Sequence, residues 1–61
     1  MNVSIACRRV RESDIAVLIV ADDNDEEMWI PFSQIVSLHF DGRGEGSIVM
    51  TRWIAEQKGL V

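Results

Sequence analysis

The first segment, "NVSIACRRV", alternates. Val3, Ile5 and Cys7 fall on one face, and Asn2, Ser4 and Ala6 on the other, the period of a β-strand. Val10 is out of step, and a bulge or twist near Arg8 and Arg9 would restore the parity. After the short turn "ESD", the run "IAVLIVA" is continuously apolar and rich in β-branched residues, which predicts a strand buried on both faces. "DDNDE" follows as a hairpin loop, because Asp and Asn tolerate left-handed backbone and bond their own main chain. "EMWI" is a third strand. Pro31 has no N–H for a ladder, so it ends that strand or sits at a sheet edge.

"FSQ" predicts a tight corner and "IVSLHF" a fourth strand, with Val36, Leu38 and Phe40 on one face and Ser37 and His39 on the other. "DGRGEG" is a mobile glycine-rich turn, and "SIVM" a fifth strand. The end predicts a helix from Arg52 to Lys58. Thr51 would be its cap, Gly59 its left-handed stop, and Leu60 would fold back onto Ile54 or Ala55. Lys58 suits the negative end of the helix dipole. So short a helix needs docking, assigned to Trp53 and Ile54. The expected fold is α+β, a single domain over residues 1–61. It is a twisted antiparallel sheet of four or five strands with one short C-terminal helix, and a small barrel fits the same strand count.

Composition narrows the functional classes. A 61-residue chain has room for one small core and little for a deep catalytic pocket. Apolar residues make up 48% and charged residues 26%, a globular balance. The net charge of −4 points toward basic partners and away from direct nucleic-acid binding, which needs cations for phosphates. One cysteine forms no internal disulfide, and no apolar run approaches the roughly 20 residues of a membrane helix. The expectation is a soluble, unprocessed, cytoplasmic protein, monomeric or homodimeric.

Two pieces carry a resemblance, "WIPFSQI" at Trp29 to Ile35 and "TRWIAEQKGL" at Thr51 to Leu60. With the acidic loop before the first, they resemble a group of small phage- and plasmid-encoded proteins. In that group a Trp-Ile-Pro-x-Ser strand end precedes a closing Trp-x-Ala-Glu-x-Lys-Gly-Leu helix. The resemblance covers roughly the C-terminal two-thirds of the chain, and implies a mobile-element setting and no catalytic residues. Small acidic proteins in that setting include inhibitors of host machinery, anti-CRISPR proteins among them. The chain departs from the pattern at Phe32, where a basic residue is common, and in the long "SLHFDGRGEGSIVM" between the motifs.

The acidic loop is the leading candidate site. Asp22, Asp23, Asp25, Glu26 and Glu27 would project from one hairpin tip. The bland reading is a solvated turn that aids solubility. The functional one is an acidic prong for the basic surface of a host nucleic-acid-binding complex, such as a type I CRISPR effector, imitating spaced phosphates. A calcium loop fails, since its sixth position holds Glu27 instead of Gly and its twelfth Ser33 instead of Glu. Phe32 is a second contact if exposed, otherwise core.

Arg8, Arg9 and Arg11, with Arg43, support an alternative nucleic-acid-binding module that lacks a stacking platform. Pairing of the sheet's edge strand between chains gives a third, structural reading. Cys7 reads as core and His39 as an outward strand residue, so no nucleophilic pair, zinc set or cofactor site is expected. "DGRGEG" lacks the Lys-Ser/Thr of a phosphate loop. The chain is read as a non-enzyme.

Overall fold

The computed structural model describes residues 1–23 and 25–61; Asn24, expected within the hairpin loop, lies outside the described residues. The strands are β1 (Asn2–Glu12), β2 (Ala16–Ala21), β3 (Glu27–Pro31), β4 (Ile35–Phe40) and β5 (Glu45–Thr51). One helix, α1 (Arg52–Gln57), follows, and a single 3-10 turn spans Phe32–Gln34. All pairings are antiparallel, in the order β3-β2-β1-β5-β4.

The long β1 organises the molecule. Its first part pairs with β5, from Asn2–Thr51 to Arg8–Glu45, and its second with β2, from Cys7–Ala21 to Glu12–Val17. Cys7 and Arg8 alone are flanked on both sides. One strand thus carries the β2–β3 hairpin on one side and the β4–β5 hairpin on the other. The parity break is resolved at Val10, skipped between Arg9 and Arg11 in the pairing with β2, slightly beyond the expected position. The sheet is not closed into a barrel, because β3 and β4 do not pair and each forms an edge.

The core lies on one face. Cys7, Val17, Ile19, Ile30, Ile48 and Met50 are buried there, with Ile54 and Ala55 of α1 packed in the same cluster. β2 is buried on both faces as expected: Leu18, on the opposite face to Val17 and Ile19, is also buried, between its cross-strand neighbours Trp29 and Arg11.

The connections explain themselves chemically. The Ser13 hydroxyl accepts from the N–H groups of Ile15 and Ala16, which forms the β1–β2 turn. The Asp41 carboxylate accepts from the N–H groups of Arg43 and Glu45 at 2.8 and 3.1 Å, and the Gly44 N–H bonds the Asp41 carbonyl. The turn expected to be mobile is therefore organised by its own aspartate. β5 begins at Glu45, two residues before the expected start.

Helix α1 is capped at both ends. Thr51 Oγ1 accepts from the Ile54 N–H at 3.4 Å and donates to Gln34 Oε1 at 2.7 Å, tying the cap to the 3-10 turn. At the far end Gly59 takes φ +73°, its N–H bonds the Glu56 carbonyl and the Leu60 N–H bonds the Ala55 carbonyl. These two bonds close the helix in the expected left-handed stop, with Leu60 packed against the core. Trp53 does not dock the helix as expected. It is 59% exposed, and Ile54 and Ala55 supply the buried side. On a two-turn helix adjacent residues lie about 100° apart, so neighbours cannot all face the sheet.

The acidic hairpin and the arginine strand

The β2–β3 hairpin presents Asp22, Asp23, Asp25, Glu26 and Glu27, all exposed. Its base is anchored. The Asp22 N–H donates to the Ala6 carbonyl at 3.0 Å, and Glu27 opens β3 opposite Val20. Five of the chain's ten carboxylates lie here. The other five, set against six Lys and Arg, leave the rest of the chain at +1, so the net −4 is carried by this hairpin.

Two ion pairs lie elsewhere on the chain. Arg9 pairs with Glu12 at 3.2 Å and Arg52 with Glu56 at 3.8 Å, both on the surface. Arg8 faces Glu45 across the β1–β5 ladder. Among the described residues no cation pairs with Asp22, Asp23, Asp25 or Glu27.

Phe32 lies away from this tip. Its N–H bonds the Ile15 carbonyl at 2.9 Å, at the other end of β2, and its ring packs against the core. The five residues of β3 set the two apart by about 16 Å. Phe32 is half-buried, packed against the core cluster, and is not beside the carboxylates. The aromatic that is near them is Trp29, two residues from Glu27 and 41% exposed. Strand alternation was the available signal, since Met28 and Ile30 point inward and Trp29 must therefore point out.

Of the β1 arginines, Arg9 lies beside the β4–β5 turn that carries Arg43, while Arg8 and Arg11 lie on the opposite face of the strand. The Arg9 N–H donates to the Gly44 carbonyl at 2.7 Å, which seats the β4–β5 turn against β1. Glu12 and Glu45 interleave with this group, which lowers its local charge.

Cys7 and His39 lie on opposite faces. Cys7 is 1% exposed in the core, whereas His39 is on the surface with Nε2 3.1 Å from Ser37 Oγ. Burial, aided by the nearby Asp22 carboxylate, raises the Cys7 thiol pKa to about 11. Such a thiol stays protonated at neutral pH and is a poor nucleophile. Among the described residues no group of three or more His, Cys, Asp or Glu is placed to hold a metal ion, and no helix is long and apolar enough to cross a membrane.

No family model, curated protein or solved structure matches the chain.

Proposed function

We propose that this chain is a non-enzymatic binding protein that uses the acidic β2–β3 hairpin to occupy a basic protein surface. The observation that carries the reading is the charge separation: a hairpin tip at −5 on a body at +1. Among the described residues, Asp22, Asp23, Asp25 and Glu27 are exposed with no cation partner and can meet one on another molecule. Lys- and Arg-lined surfaces that hold nucleic acid are the complementary class. Occupying such a surface excludes the nucleic acid by charge and by volume, so the action is inhibition. The motif resemblance directs the first test to a host nucleic-acid-targeting complex, a type I CRISPR effector before others. Trp29 beside the tip supplies an apolar contact.

The test is capture from the host cell and, in parallel, competition with DNA for a purified effector complex. Association should weaken as salt rises, because charge steering is screened over about 8–10 Å at physiological ionic strength. A triple variant, Asp22→Lys, Asp23→Lys and Asp25→Lys, should lose binding while keeping its circular dichroism. Equal capture by this variant refutes the proposal.

A second reading rests on Arg8, Arg11 and Trp29, which share the face of Val20 and Leu18 opposite the core. It predicts single-stranded nucleic-acid binding at low salt, read by mobility shift, and its loss in Arg11→Ala.

A further inference from the structure

The two edges of the sheet are differently equipped. β3 opens on Glu27 and closes on Pro31, and both discourage addition of another strand. β4, "IVSLHF", contains no Pro, Lys, Arg, Asp or Glu, and its one irregularity is the bulge at Val36. Its apolar row is incompletely covered: Val36 is 55% exposed and Leu38 37%.

The hairpin register shows which main-chain groups β4 offers. Asp41 and Glu45 form a hydrogen-bonded pair, with the Asp41 N–H 2.9 Å from the Glu45 carbonyl. Along an antiparallel ladder such pairs alternate, so His39–Ser47 and Ser37–Val49 bond across to β5. Leu38 and Phe40 then turn their N–H and C=O groups outward.

We infer that β4 is a dimerisation edge and that its occupant is β4 of a second copy, antiparallel about a two-fold axis at Leu38. In that register Leu38 meets Leu38 of the other copy, Val36 meets Phe40, and Ser37 meets His39. The outward amides of Leu38 and Phe40 find acceptors, and the exposed apolar row is covered on both sides. Asp41 falls opposite Ile35, so no carboxylate faces its own copy. Antiparallel pairing through β3 would instead set Glu27 against Pro31, which has no N–H to donate. A symmetric pair supplies the matching apolar residues from one sequence, which an unrelated peptide would have to match by chance. The acidic hairpins lie on the other side of β1, so the dimer presents two tips. The inference does not depend on what those tips bind.

A six-residue edge is a small interface, so monomer and dimer should exchange at about 10–100 μM protein. Sedimentation equilibrium across that range should show the mass rising from one chain to two, with little response to salt. Amide exchange read by NMR should show Leu38 and Phe40 gaining protection with concentration, and Ser37 and His39 protected throughout. Leu38→Lys should weaken dimerisation about tenfold or more while the spectrum stays folded, and Val36→Lys provides the same test should Leu38→Lys disturb the monomer. A one-chain mass at every concentration, protection gained along β3 instead, or a dimer unchanged in a folded lysine variant overturns the inference.

Discussion

Replacing Gly46 by Ala should unfold much of the protein, and the reason is geometric. Gly46 pairs with Cys7 on one side and Phe40 on the other. A Cβ built there lies 1.8 Å from the His39 carbonyl oxygen, 2.9 Å from its carbon and 3.0 Å from the Phe40 Cα. All three are main-chain atoms, so no rotamer change relieves the clash. Restoring an ordinary contact of about 3.4 Å requires β4 to move by about 1.5 Å relative to β5. A shift of that size takes adjacent ladder hydrogen bonds well beyond their usual 2.7–3.2 Å range. Losing two or three of them, at about 1 kcal/mol each, gives a cost of about 2–4 kcal/mol. A domain of this length has only about 3–9 kcal/mol of stability in total. The control is Gly42→Ala, where a Cβ meets nothing within 4 Å and φ is not positive. That change should be neutral or stabilising by up to about 1 kcal/mol. Urea denaturation of both variants decides the matter. If Gly46→Ala and Gly42→Ala agree within about 0.5 kcal/mol, the account of β4–β5 packing is wrong.

Three further outcomes are expected. Because the Cys7 thiol is raised to about 11 in the folded protein, the unfolded chain releases that proton first as pH rises. Its contribution to stability is intact below about pH 9 and is lost toward pH 11 by up to about 1.4 kcal/mol per pH unit, a slope that urea melts should find missing in Cys7→Ala. Thr51→Ala removes both the helix cap and the bond to Gln34 and should cost about 1–2 kcal/mol by thermal or chemical melt. Neutralising Asp22, Asp23 and Asp25 to Asn should stabilise the fold by a few tenths to about 1 kcal/mol at low salt, and by less at high salt, as melts at the two ionic strengths would show.

Much of the fold was legible because local pattern and tertiary demand agree. Val3, Ile5 and Cys7 alternate and lie inward; of "IAVLIVA", the part from Ala16 is buried on both faces, Leu18 lying outward between Trp29 and Arg11, while Ile15 is 77% exposed in the turn before the strand. Thr51 and Gly59 are capping residues whose chemistry is local, so both helix ends were readable. What was not readable depends on partners distant in sequence. That β1 divides its length between β2 and β5 is a property of pairing, and no periodicity reports it. Phe32 looked like a contact beside the carboxylates because it follows them closely in sequence, but β3 carries it to the far end of the hairpin. Trp53 resembled an anchor by its size, and the rotation of a two-turn helix turned it out. The role of Gly46 is invisible without knowing that His39 lies against it.

The placement of the carboxylates follows from what so small a core can tolerate. Five like charges within six residues repel one another, and no nearby cation relieves Asp22, Asp23, Asp25 or Glu27 among the described residues. Inside a strand, those charges would sit beside the buried faces of Val17, Ile19 and Ile30 and carry a desolvation cost on top of the repulsion. At a hairpin tip they keep their water, and only the base of the loop touches the core, where Asp22 lies near Cys7. Solubility alone would be served as well by charges spread over the surface, where they repel less. Concentration at one anchored tip, with Arg9 and Arg52 paired to Glu12 and Glu56 elsewhere, gives the molecule a directed field that dispersed charges would lack. A directed negative field acts on a cationic surface, and it is this property that the charge-reversal variant removes while leaving the sheet, the caps and the β4 edge in place.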